Sequence, residues 1–221
     1  MLSQESCALG TIGGSAHKFS AGSFTEGRLA AGAVRFVLER KNETPNLDND
    51  YVQRLKHTVF KPLENYRAGR NEVVAGRVAP SYLTPLQALQ RLEKIMDEYV
   101  GGYTTFYITS EPLLNRGLEL IDMLKEDFEH IGADDLHQLQ RAWELNHRIM
   151  TAEAVARHTL FRKETRWPGY YYRADHPKLD DSQWHCFTGS QYDESSGEWR
   201  MSKLPVHRIV PGFELLLPQG S

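Results

Sequence analysis

Cysteine is scarce: Cys7 and Cys186 are the only two in 221 residues. A disulfide framework needs several paired cysteines and an iron–sulfur cluster needs about four thiolates, so this chain can build neither. Long apolar runs are missing too. None approaches the roughly 20 residues that cross a bilayer, and no membrane span is expected. Nor is there an excess of one charge: Lys and Arg total 26 against 29 Asp and Glu, a formal net charge of −3. That balance argues against a phosphate-coating nucleic-acid binder or a polybasic membrane patch. Met1 to Thr11 has no basic start followed by an apolar stretch, the pattern of an export signal, which makes the cytoplasm the expected compartment. The chain shows no internal repeat. With 40 % hydrophobic and 25 % charged residues, it has the composition of one domain or two small ones with a buried core.

The texture changes along the chain. The first forty residues crowd Gly10, Gly13, Gly14, Gly22, Gly27 and Gly32 beside Ser and Ala, which suits a backbone brought close to a ligand. From Ser23 or Thr25 the pattern becomes helical, and Asn42 to Asn49 reads as a polar linker. Val52, Leu55, Val59 and Leu63 then predict a helix that Pro62 should kink or shorten. Thr84-Pro85 opens another, with Leu86, Leu89, Glu93, Met96 and Tyr99 along one face until Gly101-Gly102. Ser110-Glu111-Pro112 opens a third, carrying Leu114, Leu118, Ile121 and Phe128 and closing near Gly132. The fourth starts at Asp134 or Asp135 and carries Leu136, Leu139, Trp143 and Met150 towards Leu160. Short connections between these helices argue for an antiparallel bundle. After Glu164 the periodicity ends: Trp167-Pro168-Gly169 reads as a turn, and Trp184–Thr188 and Glu198–Ser202 flank a loop as a β-hairpin or ribbon.

Candidate chemistry gathers early. Gly13-Gly14-Ser15-Ala16-His17-Lys18 combines a Gly-rich turn, an imidazole and an ammonium ahead of a helix start, where free backbone N–H groups favour an anion. The same stretch also suits a Gly-rich connection with a solvated His and Lys. His130, His137, His147 and His158 are scattered without metal-ligand spacing, so no metal site is expected. Trp143 reads as core. Asp180-Asp181 reads as fixing a turn or pairing with Arg166 and Arg173, and Tyr170-Tyr171-Tyr172 as contact surface.

Ala16-His17-Lys18-Phe19-Ser20-Ala21-Gly22-Ser23-Phe24-Thr25-Glu26-Gly27-Arg28 resembles a segment of the flavoprotein (alpha) subunits of dissimilatory adenylylsulfate reductases, members of the succinate dehydrogenase/fumarate reductase flavoprotein superfamily. A second anchor lies at Arg162–Asp175 and Asp180–Phe187, similar to the C-terminal region of the same subunits. The resemblance implies a mainly α chain: residues 1–41 as the C-terminal piece of a FAD-binding α/β domain, 46–165 as a helical domain, and 166–221 as a small β-ribbon and tail. No Gly-x-Gly-x-x-Gly fingerprint for the FAD pyrophosphate occurs, so the chain is expected to correspond to the family's C-terminal third. Residues 1 to about 12 depart from the family pattern.

By position, the resemblance makes His17 the active-site histidine with Lys18 beside it, and puts Gly22, Ser23 and Phe24 at the edge of the flavin. It implies reduction of adenosine 5′-phosphosulfate to AMP and sulfite, or the reverse. It also implies FAD as cofactor and a ferredoxin-like iron–sulfur beta subunit that carries the 4Fe-4S clusters. A fumarate reductase or succinate dehydrogenase-like flavoprotein is the alternative within the class. A non-catalytic helical fragment that only docks an iron–sulfur subunit is the alternative outside it.

Overall fold

The first helix among the described residues, α1 (Ala16–Leu38), begins well before the Ser23 or Thr25 start that the sequence predicts. Alanines at 16 and 21 favour the earlier start, and the glycines at 22, 27 and 32 cost about 1 kcal/mol each in a helix without stopping one this long. The computed structural model describes residues 16–40, 48–78, 80–166, 171–193 and 195–206. It divides into two units, Met1–Arg54 and Leu55–Ser221. In the first, the apolar side chains Phe24, Leu29, Val34, Phe36, Val37 and Leu38 of α1 are all exposed. The helix closes with an Arg35–Glu39 pair at 2.7 Å and with Arg40 stacked 3.5 Å from the Phe36 ring centroid. Asp48 then opens α2 (Asn49–Gly69) by accepting from the amides of Asp50 and Tyr51.

The second unit starts within α2. Pro62 neither kinks this helix to a stop nor shortens it: the helix runs through to Gly69 with Pro62 buried inside. The Pro62 carbonyl accepts from the Ala133 amide at 2.8 Å, and Asn65 donates to the carbonyls of Glu129 and Ile131. Trp143 is half-buried rather than full core: its indole N–H reaches the Val59 carbonyl at 3.0 Å, and its ring stands edge-on to Phe128. A small β1–β2 ribbon (Val73–Val74, Arg77–Val78) follows.

Three helices form the bundle: α3 (Pro85–Ile95), α4 (Glu111–Phe128) and α5 (Leu136–Phe161). Thr84 and Gln87 cap α3 reciprocally as a capping box, with Pro85 in the first turn. The buried face of α3 is Ala88 and Leu92, not the predicted Leu86–Leu89–Glu93 stripe; Leu86 is exposed. After Ile95 the helix widens into a π-helical turn, Met96–Gly101. A wider turn inserts about one residue into the repeat, so Val100 rather than Tyr99 arrives in the core.

From α4, Leu114, Leu118, Ile121 and Leu124 point inward; from α5, Ala142, Leu145, Ile149, Ala152 and Ala156 do so. Both sets follow the 3–4 spacing of an amphipathic helix. The alanines on α5 and Gly117 on α4 permit close approach, since a Cβ on Gly117 would lie 3.1 Å from Tyr99. Asp135 caps α5 through the Gln138 amide, as the sequence suggests.

Two residues, Ile108–Thr109 (β3), pair in parallel with Tyr172–Arg173 (β4) and draw the C-terminal segment onto the bundle. The last elements are a short helix α6 (Asp181–Trp184) and the antiparallel pair β5 (Cys186–Asp193) and β6 (Glu198–Pro205). Trp184 therefore lies buried in α6 and not in the strand where its sequence position suggested. The predicted turn at Trp167–Gly169, the residue Tyr170 and the tail after Val206 lie outside the described residues.

One contact tests how the bundle closes. Gly132 lies after α4, with its amide on the Leu83 carbonyl at 2.8 Å, and a Cβ there would sit 2.4 Å from the Tyr82 ring. Gly132→Ala is expected to destabilise the second unit by about 1–3 kcal/mol, read as a lowered midpoint in urea.

Candidate functional site

The expected site residues His17, Lys18, Gly22, Ser23 and Phe24 all fall on α1. Seven residues make about two turns, so positions 17 and 24 share one face of the helix, positions 18 and 22 share a second, and 23 lies on a third. The Phe24 ring is 81 % exposed. The early start of α1 changes the electrostatics. The amides of Ser23 and Phe24 are inside the helix, where each bonds to the carbonyl four residues back, and are not free donors as the later start implied.

A second cluster, in the other unit, is built on buried charge. The carboxylate of Glu164 is fully buried and sits among the Arg162 guanidinium at 2.5 Å, two Arg166 nitrogens at 2.6 and 3.0 Å, and the Asp180 amide at 2.9 Å. Burial pushes its pKa up, but hydrogen bonds from Arg166, Asp180 and Arg162 outweigh that and hold it below the ordinary carboxylate range. Arg166 also reaches Asp181 at 2.7 Å, while Asp180 caps α6. Arg162 continues to the carbonyls of Trp184 and Cys186 and so fixes the start of the ribbon.

Arg173, also fully buried, forks onto both oxygens of Asp175 at 2.9 and 2.8 Å. The sequence offered two roles for Asp180-Asp181, fixing a turn or pairing with Arg166 and Arg173: Asp180 does cap α6 and Asp181 does pair with Arg166, whereas Arg173 takes Asp175, two residues away. Its remaining nitrogen donates to the carbonyls of Thr159, Leu160 and Arg162, at the C-terminal end of α5. The Asp175 carboxylate also accepts the Glu111 amide at 2.9 Å, capping α4, where the side chain of Ser110 makes no cap. The Arg173 hydrogen bonds, the largest influence, hold Asp175 well below the ordinary range.

Glu111, Asp175 and His176 bring three ligand-capable atoms within 4.8 Å of one another. Asp175 is already committed to Arg173 and to the Glu111 amide, so a cation there would compete with a guanidinium. His158 is half-buried and bridges to Thr188 and Ser190, which ties α5 to the ribbon. Burial, with Arg162 nearby, pushes its pKa down.

The region holding the bundle and the Arg162–Asp181 cluster matches a family model. The model of the fumarate reductase flavoprotein C-terminus covers residues 89–211, more than half of the chain. The chain belongs to this flavoprotein family. Within it, the chain is 42 % identical to the adenylylsulfate reductase subunit alpha of Megalodesulfovibrio gigas, over 93 % of this chain and 31 % of the relative. It is 30 % identical to an uncharacterized FAD-dependent oxidoreductase of Methanocaldococcus jannaschii over 42 % of this chain and 16 % of that one. Among solved structures, adenylylsulfate reductase from Archaeoglobus fulgidus superposes with a TM-score of 0.80 at 52 % identity, covering 87 % of this chain and 30 % of that one. An adenosine-5-phosphosulfate reductase in complex with sulfite, described as a covalent adduct, gives the same values. The Mycobacterium smegmatis Sdh1 complex, at 18 % identity and a TM-score of 0.57, shares the fold alone over 79 % of this chain and 27 % of that one. The chain thus spans about a third of the length of the adenylylsulfate reductase relatives.

For a member of this family, the buried cluster serves as scaffold, and the sequence reading weighed only part of it. Glu164 and Asp175 lie inside the Arg162–Asp175 stretch, yet spacing alone does not say which guanidinium meets which carboxylate. A buried acid flanked by Arg two residues on either side was the available signal. Both carboxylates have depressed pKa values, so the stability they contribute is present above their unfolded-state pKa and is lost as pH falls through the folded one. The unfolding midpoint is expected to hold down to about pH 5 and to drop below about pH 4. Asp175→Asn should flatten that drop, and Glu164→Ala should cost about 3–5 kcal/mol at neutral pH by stranding two guanidinium groups.

Proposed function

We propose that this chain is the C-terminal portion of the FAD-containing subunit of an adenylylsulfate reductase. The reaction is reduction of adenosine 5′-phosphosulfate to AMP and sulfite, or its reverse, in dissimilatory sulfur metabolism. Electrons pass through a ferredoxin-like iron–sulfur partner that carries the 4Fe-4S clusters, since this chain has too few thiolates for one. Residues 1–41 close the FAD-binding domain, 46–165 are the helical domain and 166–221 the ribbon and tail; the compartment is the cytoplasm. The observation that carries the reading is the extent of the likeness to adenylylsulfate reductase, which runs over most of this chain at identities the dehydrogenase-like structures do not approach.

The residues on α1 fit one wall of a flavin site. Residues 20–23 are Ser, Ala, Gly and Ser, small by sequence, and Phe24 offers an exposed aromatic side chain. When bound, FAD supplies the two-electron chemistry. His17, in the first turn of α1, holds a proton against an oxygen of the sulfonate or the leaving phosphate. Lys18 adds a cation beside it. With Ser23 and Phe24 amides committed inside the helix, residues 22–24 meet the cofactor through shape and apolar contact.

In the complete enzyme containing this chain, AMP-dependent sulfite oxidation is the expected activity, with no turnover of fumarate or succinate. His17→Ala should lower kcat by about 10²-fold while the flavin content stays constant. Unchanged turnover would remove the role of His17, and fumarate turnover in place of adenylylsulfate turnover would overturn the reading.

A further inference from the structure

The β5–β6 ribbon is held firmly at its base and lightly beyond it. At the base, Arg162 binds the carbonyls of Trp184 and Cys186, and Lys203 donates to the Gln183 carbonyl while lying 3.6 Å from the Trp184 ring centroid. Further along, one side chain of α5 takes over. The His158 ring meets the Thr188 hydroxyl through Nδ1 at 3.1 Å and the Ser190 hydroxyl through Nε2 at 2.9 Å. Alternate residues of a strand share a face, so Thr188 and Ser190 sit on one side of the ribbon with their cross-strand partners Lys203 and Met201.

Apolar packing does little to back this contact. A hollow of about 380 Å³ opens between Leu160 and Phe161 of α5 and Trp199 and Met201 of β6. The indole N–H of Trp199 is buried and has no hydrogen-bond partner among the described residues. A buried donor without an acceptor favours any movement that lets water reach it.

The charges around His158 are cationic or already spent. Arg162 stands one turn further along α5, and Lys203 lies across the strand pair from Thr188. Glu164 is committed to Arg162 and Arg166, Glu153 to Lys125 and Arg157, and Glu111 faces Lys163. The ribbon's own acids, Asp193 and Glu198, lie opposite each other at its far end. Among the described residues, His57 and His176 each have a carboxylate beside them and His158 has none.

We propose that the ribbon is a flap latched by neutral His158 and released when that imidazole takes up a proton. Neutral, the ring offers one donor and one acceptor, and the two hydroxyls answer both. Protonated, it donates twice and the hydroxyls still accept, so the cost is a half-buried cation beside Arg162 and Lys203 rather than a lost hydrogen bond. Lifting the flap gives that charge, and the Trp199 N–H, to water. Burial and then Arg162 hold the docked imidazole below its ordinary pKa of about 6.5. The docked ribbon therefore binds fewer protons than the lifted one: docking is complete above neutral pH and weakens as pH falls below about 6.5. That range lies above the acid loss of the Glu164 and Asp175 joints, so the ribbon lifts before the bundle opens. The device is independent of the redox reading.

The test is hydrogen exchange on the complete enzyme containing this chain, comparing protection factors of the β5–β6 amides at about pH 7.5 and about pH 5.5. A two-stranded ribbon on its own is marginal in water, so lifting is read as lost protection. The expected result is a loss of at least about twofold confined to the ribbon, with α4 and α5 unchanged. His158→Gln should abolish this pH dependence, and T188A/S190A should lower ribbon protection at the higher pH towards its acid level. Ribbon protection that does not respond to pH, a response that persists in His158→Gln, a loss shared by the whole bundle, or undiminished protection in T188A/S190A each overturns the proposal. No flavin signal is read, so failure here is separable from failure of the redox reading.

Discussion

The guanidinium of Arg173 is the constraint on which the helical unit depends. A fully buried cation is tolerated only when every nitrogen is answered, and here the answers come from two directions: both oxygens of Asp175 and the carbonyls at the end of α5. Asp175 in turn caps α4. One charge pair therefore ties the end of one helix to the start of another. The Glu164 cluster repeats the arrangement a few residues away, linking the exit of α5 to α6 and, through Arg162, to the ribbon. Apolar packing holds the three helices together, while these polar joints fix how the chain enters and leaves them.

The sequence shows its periodic parts well. The starts of α3 and α5 follow from Thr84-Pro85 and Asp135, whose caps act locally, and that of α4 from the proline preference at Pro112 alone. The β5–β6 ribbon was legible from its two aromatic-containing segments around a polar loop. Three things were hidden. The π-helical turn after α3 brings Val100 rather than Tyr99 into the core, and nothing in Met96–Gly101 announces it. The choice of Asp175 over Asp180 by Arg173 depends on a two-residue parallel pairing, which has no sequence pattern of its own. The start of α1 was obscured because its glycines read as a turn, although alanine-rich neighbours carry the helix through them.

The candidate site shows a different balance. Its residues came from likeness to a family, and the fold places all of them on one helix. The local argument for backbone donors at Ser23 and Phe24 fails because the helix starts early.

The cap on α4 also bears on the order of synthesis. The Glu111 amide is answered by a carboxylate 64 residues downstream. A nascent chain leaving the ribosome can wind α3, α4 and most of α5 from local contacts, but α4 stays open at its first turn until Asp175 has cleared the exit tunnel. Closure of the bundle is therefore a late event in translation, and a transcript cut short before that codon would yield helices without their joint.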